Sequence, residues 1–304
     1  RNHGAVPGKG KPPLKSVGKD LNNMTLPRKI KANALLSLKS HWGRAIGVVL
    51  FWAGINVMFL LLEYLFILLV QFISPDDPVL RLDFWSGTLE VSSSMAVISV
   101  TFLLISFAVL SPLGLGVKKW FTGQISGEAP PILTILDYFY NWRCLFRAIG
   151  LRLMVWLRMA AWGLLFAIPS LLLGAGLVLM EKPAYGLEAL PVVAMAALEV
   201  VVTICMAVLW YFMTLRYYLA GYIFVTDESI GLHAAVRKSA AAMKGGKRIL
   251  FGLQLSMLPW CICSLFVVPA LFVKPYYSAS MAIFAKVRLE GYDRKMKQSE
   301  ENSQ

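Results

Sequence analysis

The stretch MKGGKRILFG, residues 243–252, places three cations and two glycines directly before a run of apolar residues. The segment that precedes it is polar, and the segment that follows it is apolar enough for a lipid environment. Basic side chains at such a boundary keep their stems among acyl chains and their charges among phosphates, while glycines let the backbone turn. The junction predicts a helix on the membrane surface that is followed by a turn and then by a segment inside the membrane.

The composition of the whole chain calls for a solvent other than water. Of the 304 residues, 58% are hydrophobic and 15% are charged, and the mean hydropathy is +0.64. A soluble domain is roughly 45–50% apolar and about 25% charged. The apolar residues also occur in blocks of about 20 or more, the length that spans a hydrocarbon core of ~30 Å. The chain therefore reads as a polytopic membrane protein.

The apolar blocks define the predicted spans. The last region, 249–289, fits either one span or two. We divide it, because Pro269 suits the first turn of a helix and because two spans return the basic C-terminal residues to the side of the N-terminal ones. The predicted spans are 45–73, 91–117, 150–180, 191–225, 249–265 and 268–289.

The predicted fold class is all-α: a polytopic membrane helix bundle of six transmembrane helices arranged as three hairpins, each preceded by a basic cytosolic surface helix. The membrane domain covers residues 28–290. A disordered basic tail at 1–27, rich in Gly, Pro and Lys, precedes it. A polar cytosolic tail at 291–304 follows it.

The charges are distributed unevenly between the two predicted sides. Of 30 Lys and Arg residues, 26 lie in four segments beside the apolar blocks: 1–44, 118–152, 216–248 and 286–304. The predicted outer loops, 74–90 and 181–190, hold one each, Arg81 and Lys182. This asymmetry follows the positive-inside rule and predicts a cell-membrane protein with both termini cytoplasmic. The net charge of +13, distributed in this way, favours anionic lipid on the cytosolic face as the partner over nucleic acid.

A threefold pattern runs along the chain. The predicted surface helices are 28–42, 130–147 and 227–244. Each runs into a span through an arginine, Arg44, Arg147 or Arg248, at spacings of 103 and 101 residues. The first two junctions share the tetrapeptide RAIG. We predict that these arginines anchor the membrane junctions in a repeated architecture; an ancestral triplication stays a hypothesis.

Four stretches carry a resemblance to a known family. YYLAGYIFVTDESIGLHAAVRKSAAAMKGGKRILFGLQLSMLPW (217–260) and KPYYSASMAIF (274–284) resemble a family of bacterial integral membrane proteins, domain of unknown function 975. PLGLGVKKWF (112–121) and GEAPPILTILDYF (127–139) are also similar to its segments. The chain departs from the family pattern in its long N-terminal tail and in its longer third and fourth spans. The resemblance implies a multi-pass fold and brings no activity or site residues with it.

No constellation of catalytic or metal-binding residues is recognisable in the sequence. The three histidines, His3, His41 and His233, lie far apart, and neither HExxH nor GxSxG occurs. The four cysteines form no CxxC pair and fit small apolar core positions. We therefore predict that the protein is not an enzyme and holds neither a metal nor a cofactor.

Ionisable residues inside membrane spans are costly and usually face a bundle interior or a cavity. The sequence has five such residues: Glu63, Arg158, Glu199, Arg216 and Lys274. Three of them fall at similar depth, which predicts an ion pair of Lys274 with Glu199 or with Glu63. The alternative is a polar cavity for an anionic lipid headgroup or a small solute. Its lining would include Tyr217, Tyr218, Tyr276 and Tyr277, although interfacial anchoring also explains these tyrosines.

Two classes of function remain open on these grounds. The first is a non-catalytic membrane protein that associates with anionic lipid or with other membrane proteins, a homo-oligomer included. The alternative is a small-solute or lipid transporter that uses Arg158, Arg216 and Lys274 within the membrane.

Overall fold

The computed structural model of the protein describes residues 25–74, 79–84, 87–179 and 190–302. Nearly all of the predicted disordered tail at 1–27 lies outside these residues, as does nearly all of the predicted outer loop at 181–190.

Helices dominate the described residues, which confirms the predicted helical class. They are α1 (Leu26–Leu38), α2 (Trp42–Ile73), α3 (Ser93–Ser126), α4 (Trp142–Leu179), α5 (Leu190–Thr214), α6 (Ala220–Thr226), α7 (Leu232–Ala242), α8 (Lys247–Cys263) and α9 (Val267–Glu301). Two 3₁₀ helices, Ile132–Phe139 and Leu215–Tyr217, precede α4 and α6.

A β-hairpin also forms, and the all-α prediction did not include it. Strand β1 (Val79–Phe84) pairs antiparallel with β2 (Gly87–Ser92), and Leu82 is opposite Leu89. The sequences VLRLDF and GTLEVS alternate apolar and polar residues, the period-2 pattern of a strand. The hairpin covers most of the predicted outer loop at 74–90 and the first two residues of the predicted span 91–117, so the second long helix begins at Ser93.

Four stretches are long and apolar enough to cross a membrane. They are α2, α3, Trp142–Leu177 of α4, and the continuous stretch Leu190–Thr226. Helix α8 has 17 residues, about 25 Å at 1.5 Å per residue, which is less than the ~30 Å of a hydrocarbon core. Helix α9 has 35 residues and continues through the predicted polar tail as far as Glu301.

The predicted surface helices have different boundaries in the structure. The first corresponds to α1 and the third to α7, but α7 begins at Leu232 instead of Asp227. The reason is that the Asp227 carboxylate accepts hydrogen bonds from the backbone N–H and the hydroxyl of Ser229, at 3.1 and 2.6 Å. These bonds close a local turn that competes with the helix.

The second predicted surface helix, 130–147, is wrong as a separate α-helix. Its first part is the 3₁₀ helix Ile132–Phe139, and its second part is the beginning of α4, which continues without a break into the apolar stretch. The side-chain oxygen of Asn141 accepts a hydrogen bond from the N–H of Arg143 at 3.0 Å. This bond caps α4 and explains why the helix starts at Trp142.

The well-packed core lies at the end of the bundle where Arg44 and Arg147 contact neighbouring segments; we call this the basic end. The largest fully buried side chains there include Trp120, Tyr138 and Phe224. Away from this end, α2 packs on α3 and α4 packs on α5. In the apolar 18-residue segments of these four stretches, only 17%, 17%, 6% and 6% of the residues are buried inside the structure. Their outer surfaces therefore need lipid or a partner to cover them.

Two junction arginines make contacts between successive units of the predicted threefold pattern. Arg44 Nη1 donates to the carbonyl of Ala129 at 3.5 Å, and Arg147 Nη2 donates to the carbonyl of Ile230 at 2.7 Å. Each acceptor lies just before the helical segment that opens the next unit. Helix α9 in turn packs against α1. The arginines therefore hold neighbouring units together, besides the anchoring role predicted for them.

A glycine at the contact between α3 and the first 3₁₀ helix provides a test of this packing. A Cβ on Gly116 would lie 2.0 Å from the carbonyl oxygen of Ile135, whereas a Cβ on Gly54 in α2 meets nothing within 4 Å. Gly116→Ala should therefore lower the free energy of unfolding by roughly 1–3 kcal/mol through overpacking. Gly54→Ala should leave it unchanged or raise it by about 1 kcal/mol through helix propensity. Thermal unfolding of both variants in the same detergent makes the comparison, and equal midpoints would contradict the close approach.

Candidate functional site

A cavity of about 280 Å³ opens between α3, α4 and the segment that leads into α6. This volume is near the lower limit of ligand pockets, roughly 300–1,000 Å³, and suits a small chemical group. Its polar lining residues are Ser111, Lys118, Arg152, Tyr217 and Tyr218.

Two cations of this cavity have no carboxylate partner among the described residues. Lys118 is half-buried on α3, and Arg152 is exposed at the rim on α4, close enough for the two charges to repel each other. The nearest favourable contact of Lys118 is the ring of Tyr222, whose centroid lies 5.2 Å from Nζ. Two neighbouring positive charges without a carboxylate partner in the described part of the chain attract an anion, so this cavity is electrostatically suited to one.

The neighbouring residue, Lys119, pairs with the carboxylates of this region. Lys119 Nζ contacts carboxylate oxygens of Asp137 at 3.1 Å and Glu228 at 2.8 Å. Adjacent residues of a helix point about 100° apart, so Lys118 and Lys119 face different surroundings. Lys119 therefore joins α3 to the first 3₁₀ helix and to the α6–α7 connection, and Lys118 is left facing the cavity.

Tyr138 reinforces the contact that Lys119 makes. Its hydroxyl donates to Glu228 at 3.5 Å, and its ring lies 5.5 Å from Lys119 Nζ. Burial, followed by the neighbouring Glu228 carboxylate, raises the pKa of Tyr138 above its ordinary value. The phenol therefore stays protonated and keeps donating to Glu228 throughout the physiological pH range.

A glycine makes room for one of the cations. A Cβ on Gly221 would lie 2.5 Å from Lys118 Nζ. Tyr217 adds a hydrogen-bond donor, because its hydroxyl oxygen accepts from Trp162 Nε1 at 3.1 Å and its own proton remains available. The site thus offers an ammonium, a guanidinium and a phenol, a set that suits an oxyanion such as phosphate.

Two of the predicted site residues, Tyr217 and Tyr218, line this cavity. Arg216 lies beside it with its guanidinium 5.6 Å from the ring centroid of Tyr217. Arg158 does not line it, although it lies on the same helix as Arg152.

The predicted partners of Lys274 are not its partners in the structure. Lys274 Nζ lies 5.9 Å from the ring centroid of Trp52 on α2. It forms no ion pair with Glu63 or Glu199 in the part of the chain that the structure describes. Glu199 is buried on α5, with 8% of its surface exposed, and Glu63 is half-buried on α2.

The second predicted tyrosine pair lies in another hydrogen-bond network. Gln254 on α8 donates to the hydroxyl of Tyr277 at 3.5 Å and accepts from Tyr211. Tyr276 packs at the edge of the core. These tyrosines connect α8 and α9 to the end of α5 and do not line the cavity.

Sequence analysis missed Lys118 and Arg152 as site residues. Both were counted only as charges of the inner segment 118–152. The glycines of PLGLGV, residues 112–117, could have indicated a close approach beside Lys118. Arg152 carried no signal of its own, because its position next to Lys118 results from the packing of α4 on α3.

Comparison with known families assigns the chain to one of them. A family model described as a protein of unknown function, DUF975, matches residues 24–288. The chain belongs to this family. No curated protein and no solved structure gave a significant match. For this DUF975 protein, function has to be argued from the cavity and its surroundings.

The two adjacent lysines should respond oppositely to the same substitution. Lys118→Met removes a charge that Arg152 repels and that no carboxylate among the described residues neutralises, so it should raise the free energy of unfolding of the lipid-free protein by about 1 kcal/mol. Lys119→Met removes two partly exposed ion pairs and should lower it, by up to about 1 kcal/mol per pair. Thermal unfolding in detergent measures both. A loss of stability in Lys118→Met as large as in Lys119→Met would contradict an unpaired cation in the cavity.

Proposed function

We propose that this DUF975 protein is a non-catalytic, multi-pass membrane protein that associates with anionic lipid, and that the cavity at Lys118 and Arg152 receives the lipid phosphate. The observation that carries the proposal is a pair of cations that have no carboxylate partner within the described residues. The repulsion between the two like charges requires a nearby anion to offset it. A phosphate oxyanion meets this requirement and can also accept a hydrogen bond from Tyr217.

The surface beside the cavity supports lipid over a dissolved anion as the source of the phosphate. One face of α4 presents Trp142, Phe146, Leu153 and Trp156, and the first two are 72% and 63% exposed. Their spacing of 4, 7 and 3 residues keeps them on one side of the helix. Trp156 also lines the cavity, so the cavity opens beside an apolar surface suited to acyl chains.

Basic residues border this apolar face of α4. Arg143 and Arg152 lie about 90° to either side of it at 100° per residue. Guanidinium groups in these positions can reach lipid phosphates while the aromatic rings contact the acyl boundary. This pattern supports an inner-leaflet position for the first turns of α4.

For the membrane layout we propose six crossings arranged as three hairpins, with the basic end at the cytoplasmic side. The four apolar stretches would supply two hairpins, and α8 with α9 the third. Contact between α8 and α9 supports this pairing, and so does the concentration of Lys and Arg in the four inner segments. The short length of α8 would be met by local thinning of the bilayer or by snorkelling of flanking residues.

A lipid-binding measurement tests the cavity. Native mass spectrometry of the detergent-purified protein compares phosphatidylglycerol with phosphatidylcholine of the same chain length, with inorganic phosphate as a third probe. Lys118→Gln/Arg152→Gln should weaken retention of phosphatidylglycerol roughly 30-fold, from about 1 kcal/mol per cation. The control Arg237→Gln/Lys286→Gln removes the same charge from positions that do not line the cavity and should leave retention nearly unchanged.

Two results would overturn the proposal. Equal retention of the anionic and the zwitterionic lipid by the unaltered protein would remove the preference on which it rests. Displacement of phosphatidylglycerol by inorganic phosphate at comparable concentration would show that the cavity binds a free anion.

The topology has its own test. Epitope tags at the two ends should both report from the cytoplasm, and a tag within residues 74–90 should report from the opposite side, because the positive-inside bias orients the spans. Protease protection in sealed inverted vesicles makes the assignment. Ends on opposite sides would exclude six crossings.

The transporter alternative stays a prediction. Arg158, Arg216 and Lys274 do not line the cavity at Lys118 and Arg152. Association with other membrane proteins, or with further copies of the chain, likewise stays a prediction.

A further inference from the structure

A second and larger groove lies between α4, α5 and the start of α8. Its volume is about 710 Å³, within the range of pockets that hold extended ligands. The residues that matter here are Phe166, Leu209, Phe212, Met213, Lys247 and Arg248. None of them lines the cavity at Lys118.

One part of the groove is apolar and belongs to the membrane-crossing stretches. Phe166 comes from α4, and Leu209, Phe212 and Met213 come from the last two turns of α5. The ring of Phe212 packs against Phe251 on α8, with ring centroids 5.0 Å apart. This contact fixes one wall of the groove. Leu209 leaves 48% of its surface exposed, so the apolar wall is open to an acyl chain.

The other part of the groove is positively charged. Lys247 and Arg248 are the first two residues of α8, and neither forms an ion pair with a carboxylate among the residues that the structure describes. Arg216 lies close enough to Lys247 for the two charges to repel each other. An anion bound at Lys247 would offset this repulsion.

The turn before α8 holds these cations in place. Arg288 on α9 donates from Nε to the carbonyl of Ala242 at 2.8 Å and also donates to the carbonyl of Lys244. Gly245 has a positive φ of 76°, and a Cβ on Gly246 would lie 2.6 Å from Arg288 Nε. The glycines of MKGGKR are therefore needed for this turn, and the two cations that follow it start from a fixed backbone.

We propose that this groove binds one anionic phospholipid of the cytoplasmic leaflet, with its phosphate at Lys247 and Arg248 and one acyl chain along Phe166, Leu209 and Phe212. The inference rests on the membrane placement proposed above, but not on the cavity at Lys118. The charge of the groove and its apolar wall match the two parts of such a lipid. A soluble anion would leave the apolar wall uncovered, and a neutral lipid would leave the cations without a partner.

Counting bound lipids separates this groove from the Lys118 cavity. Native mass spectrometry of the full chain in detergent, titrated with phosphatidylglycerol, should show two retained lipids. Lys247→Gln/Arg248→Gln should lose one of them, with an affinity decrease of roughly 30-fold for that lipid. Lys118→Gln/Arg152→Gln should lose the other, and the combined variant should lose both.

Matched variants examine each part of the groove. Lys247→Arg/Arg248→Lys keeps the charge and should retain the lipid, whereas Lys244→Gln/Arg237→Gln removes two nearby exposed charges and should have little effect. Leu209→Trp fills the apolar wall without altering charge and should weaken phosphatidylglycerol, while binding of inorganic phosphate stays unchanged. Lys247→Arg/Arg248→Lys and Leu209→Trp keep the test decisive if Lys247→Gln/Arg248→Gln folds poorly.

The outcomes distinguish the two proposals. If Lys247→Gln/Arg248→Gln retains both lipids, the groove inference is wrong and the cavity proposal stands. If Lys118→Gln/Arg152→Gln retains both lipids, the cavity proposal is wrong and the groove inference stands. If Leu209→Trp has no effect and inorganic phosphate displaces the lipid, the groove binds a free anion, and the inference is also wrong.

Discussion

The outer surfaces of α2, α3, α4 and α5 have to be covered by something other than water, and the rest of the structure follows from this constraint. At most 17% of the residues in their apolar 18-residue segments are buried inside the protein. Contacts within the chain therefore leave most of this apolar surface uncovered. Apolar packing that is not shared with lipid occurs at the basic end, around Trp120, Tyr138 and Phe224. The fold is therefore held together at one end, and the helices extend from it largely as pairs.

The cations at the basic end form two groups, those that contact acceptors of neighbouring elements and those that have no carboxylate partner among the described residues. Lys119, Arg147 and Arg288 use carboxylates or backbone carbonyls of neighbouring elements. Lys118, Arg152, Lys247 and Arg248 have no carboxylate partner within the described residues. Because acidic residues are few, 17 against 30 basic ones, several cations at this end can be neutralised only from outside the chain. The anionic lipid that we propose as the partner would supply such charge.

The threefold pattern has a physical counterpart in the contacts of the junction arginines. Arg44 and Arg147 lie 103 residues apart in the sequence, and each donates to a carbonyl just ahead of the next unit. Arg248 departs from this scheme, since it lines the groove at α5. The first two units are thus joined to their successors by equivalent bonds, while the third leaves its arginine for other contacts.

Much of this architecture could be predicted because it depends on local properties of the chain. The positions of α2, the apolar parts of α3, α4 and α5, and the turn at Gly245 follow from hydropathy and from glycine placement, which neighbouring residues determine. Other features depend on which elements meet. The continuous α4, the late start of α7 and the partner of Lys274 result from Asn141, from the Asp227 turn and from the position of Trp52.

The sequence by itself determined that much of this protein is covered by something other than water, since the chain is 58% hydrophobic and its apolar residues lie in long blocks. It also determined the distribution of charge along the chain. Only the tertiary structure decided which of those charges remain without a partner. That choice depends on distances between residues such as Lys118, Arg152 and Glu228, which are far apart in the chain and are brought into place by packing.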